Sequence, residues 1–406
     1  MRVNILNKFL YLVLGISLFI DLYYNIDTAG SGGFIKDFET TWPLVENPLA
    51  FSTNLDIKFP LHYYIAAIIY KIVNDKEILR LIYCILALPI PYLFFICLKI
   101  KFKKININNL FLFSLIIFLL PSFRSAAVWP NTQITGIFFF IISLFFFLKW
   151  ENKSQFNKFN KELFFIIFFM SLTVYTRQLY AMIFLYFIII FYLNLDKKNF
   201  IKTLLVVTIF ALPGIIFVMF WPKILKATFE FKFYNSLLVN SSIISFYLIP
   251  FFTIIFYFKK KIKLIDKDKL AIFLIAVFVI ICSYFFDYNY LMGGGYFIKL
   301  SKILLGNFYF FYLTSIIGFF LLYLLSKENI LNLILNLIII TAISAYIIFM
   351  KYFEPMFIII LFLLFKTKLT NIFLENKKYI LYYNFYFLVY LCSAIANNYF
   401  LFSKNI

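Results

Sequence analysis

The sequence predicts an all-α fold, a polytopic transmembrane helical bundle of about 13 spans with interfacial helices in its first extracytoplasmic loop. Three observations predict it. Of 406 residues, 64% are apolar and only 14% charged, with a mean hydropathy of +0.94. The apolar residues run continuously rather than alternating, so helices and not barrel strands satisfy the backbone in lipid. The Lys excess sits between the apolar runs, as the positive-inside rule requires. We read residues 1–406 as one domain, with residues 25–78 as the polar extracytoplasmic loop.

Residues 9–24 form the first span, and Arg2 and Lys8 hold its start in the cytoplasm. Its outline resembles a signal peptide, but no small-x-small site follows, so we expect an uncleaved helix. The stretch after it is the one polar island in the chain: Asp37, Glu39, Glu46 and Asp56, the only His (His62), and several Gly and Pro. Residues 60–74 are apolar but short, about 22 Å at ~1.5 Å per residue, against a ~30 Å hydrocarbon core. We read them as a helix lying at the outer interface. The span at 79–98 then delivers KIKFKK (99–104) to the cytoplasm. Further spans follow at 107–121, 133–148, 162–175, 178–194, 201–221, 237–257, 270–286, 305–325, 329–349, 356–366 and 379–402. This path puts about two dozen of the 38 Lys and Arg inside and more than half of the 18 Asp and Glu outside.

The net charge of +20 therefore sets orientation and does not imply nucleic acid. Cys84, Cys97, Cys282 and Cys392 lie in or beside apolar runs without a CxxC, which indicates no disulfide framework or metal site. The abundance of Phe, Ile, Lys, Asn and Tyr fits an AT-rich genome, and we expect a bacterial inner membrane with the site facing the exterior.

Asp37 and Glu39 are the first candidates for chemistry. As solvated loop residues they need no role. As positioned carboxylates, one takes the proton of an attacking hydroxyl, or both help hold a divalent cation that screens a leaving phosphate. Their i, i+2 spacing points them to different sides of a helix, so one faces a given site. Arg124 and Arg177 fall at outer ends of spans, where an arginine either snorkels or clamps phosphate bidentately. Gln178 can hydrogen-bond a sugar or phosphate. GGGYFIKLSK (293–302) joins a glycine turn to Lys299 and Lys302, a weak phosphate cradle. Tyr352 and Glu354 stand at another outer end. A lone His62 is too little for a zinc site and bonds locally by default.

These pieces together resemble the GT-C superfamily of integral-membrane glycosyltransferases. They are an early loop acid (Asp37), Pro60-Leu61-His62-Tyr63-Tyr64 opening an interfacial helix, and Leu79-Arg80-Leu81 leading the next span. A further likeness is to the dolichyl-phosphate-glucose-dependent α-1,2-glucosyltransferase family, which carries an Asp-Glu pair, an Arg-Gln and an Arg-Tyr-Phe-x-x-Pro. Here Asp37 matches the acid but Phe38 replaces the adjacent Glu, with Glu39 one place later. Arg177-Gln178 matches the Arg-Gln, and Lys351-Tyr352-Phe353-Glu354-Pro355 matches loosely.

The resemblance implies a polyprenyl-phosphate-sugar donor, an acceptor that is a glycan, lipid or protein, and inverting transfer. Asp37 would be the base, with Glu39 second. Arg124, Arg177, Lys299 and Lys302 would bind the donor phosphate, and Gln178, His62, Tyr352 and Glu354 the substrates. Two alternatives remain open: an envelope-polysaccharide polymerase or ligase, and a transporter or flippase of lipid-linked sugar. The second would favour internal repeats and mid-membrane charges, neither of which the sequence displays.

Overall fold

The computed structural model describes residues 3–28, 33–47, 59–153, 157–220, 232–259, 265–291, 293–345 and 347–402. Arg2, Asp56 and the polar loop at 221–231 lie outside them. The described elements are helical. They are α1 (Ile5–Tyr23), α2 (Gly33–Glu46), α3 (Leu61–Val73), α4 (Lys76–Ala87), α5 (Pro89–Lys101), α6 (Ile107–Ser114), α7 (Pro121–Val128), α8 (Thr132–Glu151), α9 (Lys161–Thr176) and α10 (Tyr180–Asn194). They continue with α11 (Lys197–Phe220), α12 (Phe233–Lys259), α13 (Asp266–Tyr284), α14 (Gly295–Leu305), α15 (Tyr309–Ser326), α16 (Ile330–Ala342), α17 (Met356–Leu363), α18 (Lys368–Glu375) and α19 (Lys377–Phe402). Short 3-10 turns fill 115–119 and 350–352.

The helix starts follow from the sequence. Asn4, Asp75, Asn106, Asn131, Asn160, Asn329 and Thr367 each accept a bond from a first-turn N–H of the helix that follows. Such a cap satisfies one of the donors every helix leaves unpaired at its start. Asn74 ends α3 in the left-handed conformation at φ 48°, a state Asn tolerates better than most residues.

The count of 13 spans does not hold. Among the described residues, seven helices are long and apolar enough to cross a membrane, or nine if two bent pairs each count as one span. One bent pair is Ile107–Leu119 with Pro121–Val128, broken by 65° where Leu120 is extended ahead of Pro121. Proline has no N–H to continue the ladder, and it pushes the residue before it out of the helical region. The other pair, Met356–Leu363 with Lys368–Glu375, turns by 102°. Of the remaining expected spans, α9, α10 and α16 have 16, 15 and 13 residues, and α13 opens with Asp266, Lys267, Asp268 and Lys269. Sixteen residues reach only about 24 Å. Residues 60–74, expected at the interface, form α3, a separate 13-residue helix between two breaks.

The chain divides into two compact units, residues 1–224 with 384–406, and residues 225–383. In the first, α8 packs along α9, with Phe146 stacked on Phe165 and Phe169. In the second, α12 and α15 cross so closely that a Cβ on Gly318 would lie 2.0 Å from the Ser241 carbonyl oxygen. Small residues at such a crossing let helix backbones approach and gain dispersion contacts where lipid offers no hydrophobic drive.

Candidate functional site

The first unit gathers α2, α3, the start of α4, the α7–α8 junction and the α9–α10 corner. Asp27 sits fully buried just beyond α1, and its Oδ2 accepts from the backbone N–H of Phe34 (2.7 Å) and Ile35 (3.3 Å) in the first turn of α2. A carboxylate there meets both the unpaired donors and the positive end of the helix dipole. Thr28 ties the same corner to α7 through the Pro121 carbonyl (2.7 Å) and Ser125 Oγ (3.0 Å).

From that anchor α2 carries Asp37, half-buried, and Glu39, exposed. The residue between them, Phe38, is buried with its ring 5.9 Å from that of Trp129 and 5.4 Å from that of Trp42. Trp42 in turn meets Tyr70 of α3 at 4.9 Å. Aromatic contacts of this kind, offset or edge-on, help hold a short helix that also buries Phe34, Leu44 and Val45. Since Phe38 faces inward, Asp37 and Glu39 are turned away from it on either side, as their spacing predicted.

His62 is 2% exposed and has a local partner: its Nδ1 lies 2.8 Å from Thr135 Oγ1 of α8, with the Tyr83 hydroxyl at 3.5 Å. Glycine at 136 brings the α9–α10 corner against the same turn of α8. A Cβ there would fall 2.9 Å from Thr176 Oγ1 and 3.8 Å from Arg177 Cδ. Arg177 and Gln178, both half-buried, therefore join His62, Thr135 and the buried Gln133 at one end of α8.

Arg124 departs from expectation. It is 3% exposed, and each of its three guanidinium nitrogens already donates within the protein. Nε reaches Asp21 Oδ2 at 2.6 Å, Nη1 reaches Ser17 Oγ at 2.9 Å and the Phe118 carbonyl at 3.3 Å, and Nη2 reaches the Ser17 carbonyl at 2.9 Å. An arginine matched in this way locks α1 to α7 and is not an open phosphate clamp. Its partner Asp21, inside the first span, was the signal to read: a buried acid there requires a cation.

Lys299, Lys302, Tyr352 and Glu354 belong to the second unit. Gly294 (φ 86°) and Gly295 (φ 79°) start α14 in backbone conformations that only glycine adopts without strain. The Gly294 N–H donates to the Ile348 carbonyl at 2.7 Å, so this turn is bonded into the fold. Lys299 lies on the exposed side of α14, yet desolvation by surrounding protein holds its ammonium below the usual lysine range. The Lys302 ammonium stands 3.9 Å from the Phe308 ring centroid, a cation–π contact. Glu354 is 1% exposed and accepts from the Tyr247 hydroxyl at 3.0 Å, while Tyr352 packs edge-on to Phe349.

Among the described residues, no three His, Cys, Asp or Glu side chains cluster as metal ligands. Asp21, Asp27, Gln133 and Thr135 were missed as site residues by the sequence reading. No family model matches the chain, and no curated protein or solved structure matches it.

Proposed function

We propose that this chain is a membrane glycosyltransferase of GT-C type. It moves a sugar from a polyprenyl-phosphate donor to an acceptor hydroxyl on the extracytoplasmic face. One observation carries the reading. Two short helices after the first span are held against the ends of α7, α8 and α9 by Phe38–Trp129 and His62–Thr135, beside Arg177. In so apolar a chain, α2 supplies a half-buried carboxylate, the α9–α10 corner a half-buried guanidinium, and α3 and α8 hydrogen-bonding groups.

Each group has a physical task in such a transfer. Asp37 accepts the acceptor's proton as its oxygen attacks the anomeric carbon. Arg177 stabilises the charge that gathers on the departing phosphate, because a guanidinium stays charged and pairs two oxygens at once. Gln178, His62 and Gln133 offer hydrogen bonds to sugar hydroxyls.

The test is transfer by the purified full-length protein in nanodiscs, supplied with a labelled polyprenyl-phosphate hexose and a mixture of envelope acceptors. Asp37→Asn should lower transfer by about 10³-fold, within the range for loss of a general base, while inserting and accumulating like the parent. Transfer at the parental rate in that variant would remove Asp37 from the mechanism. Use of a lipid-diphosphate oligosaccharide but no lipid monophosphate would indicate a polymerase or ligase instead.

A further inference from the structure

We infer that Arg80 and Trp129 form a buried site for a phosphate oxygen, and that its ligand is a lipid monophosphate. The identity of the ligand rests on the glycosyltransferase reading, because that phosphate is the one its donor carries.

The three described arginines differ in what their guanidinium groups have left to give. Arg124 is matched by a buried carboxylate and three oxygens of its surroundings. Arg80 is as deeply buried, at 2% exposed, but only partly met. Its Nε donates to the Val128 carbonyl at 3.1 Å, and its Nη1 to Glu77 Oε2 at 2.7 Å. Its Nη2 is sealed from solvent and has no hydrogen-bond partner among the described residues. The guanidinium carbon stands 3.7 Å from the ring centroid of Trp129, whose Nε1 is likewise sealed and unpartnered.

Among the described residues, N–H donors on two stacked side chains therefore meet no acceptor, which is unfavourable for buried groups. A ligand that answers both must be an acceptor. The charge balance selects an anion over a neutral one. Among the described residues Glu77 is the one carboxylate on Arg80, and its side chain is 68% exposed, so water screens much of its charge. Lys76, beside it in sequence, holds its ammonium 5.0 Å from the Phe38 and Trp42 rings and adds a second cation. A phosphate oxygen fits this pair of donors in charge and in lone pairs.

Phe38 of α2, the residue next to Asp37, packs against the Trp129 indole with its ring 5.9 Å away.

The experiment is equilibrium binding of tritiated farnesyl phosphate to the full-length protein in nanodiscs, with farnesol and inorganic phosphate as competitors. Trp129→Phe keeps an aromatic face but removes the N–H with part of the indole, and it should weaken binding by about three- to tenfold. Arg80→Gln should weaken it further. Affinity equal to the parent in Trp129→Phe overturns the proposal, even if Arg80→Gln fails to fold. Competition by farnesol as strong as by farnesyl phosphate overturns it too, since the phosphate would then contribute nothing. Equal competition by inorganic phosphate overturns the lipid assignment. The underlying reading fails separately: binding that depends on Trp129 without any sugar transfer refutes the transferase, and transfer with an unchanged KM in Trp129→Phe refutes the site.

Discussion

In the first unit the buried polar side chains include ions of both signs: Asp21, Asp27, Arg80, Arg124 and Glu162 are all under 9% exposed, with His62 beside them among amides and hydroxyls. In the second they are mostly amides and hydroxyls, with Asp268 and Glu354 as the acids. The neutral groups there do structural work. Asn240 donates to the Ile340 and Ile343 carbonyls at the end of α16, at 2.7 and 2.8 Å. Asn332 donates to the Leu325 and Lys366 carbonyls and accepts from the Lys366 N–H. Ser242 bonds Thr314 across the α12–α15 crossing. An amide closes a helix end at little desolvation cost, whereas a buried ion must be matched or it destabilises. Chemistry is therefore to be sought where ions are buried with a face left over, which is the first unit.

The largest expected effect tests the ionic side of that contrast. Arg124→Ala leaves Asp21 buried without its cation and should cost about 3–5 kcal/mol, measured by denaturant titration of the detergent-solubilised protein. The double replacement Arg124→Met with Asp21→Leu should recover most of the loss. If it does not, the hydrogen bonds to Ser17 and Phe118 matter more than the charge pair.

In the second unit, Gly318→Ala sets a methyl group against the Ser241 carbonyl and should force α12 and α15 apart. The expected loss of about 1–3 kcal/mol exceeds the ~1 kcal/mol that Ala gains over Gly in helix propensity. A stabilised variant would show that the crossing can slide. Asn332→Leu should cost about 1–3 kcal/mol by orphaning the groups it now satisfies, read by the same titration. A loss as large as that of Arg124→Ala would erase the distinction between the two units.

The smallest effect concerns Asp268, whose carboxylate accepts from Lys327 Nζ at 2.6 Å and from the Tyr323 hydroxyl at 3.2 Å. The bond from Lys327 holds its pKa below the ordinary aspartate value. A lowered folded pKa stabilises the protein above the unfolded value of about 3.9 and loses that contribution as pH falls through the folded one. Thermal stability should therefore drop below about pH 4, and Asp268→Asn should flatten that part of the profile. An unchanged profile would mean that the pair contributes nothing.

Much of this could be read in the chain. The apolar runs specified helices, the Asn and Asp caps marked their starts, and the breaks around residues 60–74 separated α3 from its neighbours. The span count could not be read so well, because hydropathy does not register where a run bends. Leu120–Pro121 splits one expected span, and α9, α10 and α16 stop short of a bilayer's thickness. Among the site residues, the sequence singled out Arg124 and Arg177 alike as arginines at span ends. Which of them was already paired depended on Asp21, a residue 103 positions away from Arg124.

Composition and pattern by themselves determined that this protein is a helical bundle built for lipid, because burial of backbone polar groups leaves an apolar chain no other choice. They also marked the stretch after the first helix as the place where polar residues concentrate. Only the tertiary structure decided which arginine is spent and which keeps a donor, because matching a buried charge is a matter of distance between helices remote in sequence. Arg124 found Asp21 and a complete set of acceptors, and Arg80 found the face of an indole.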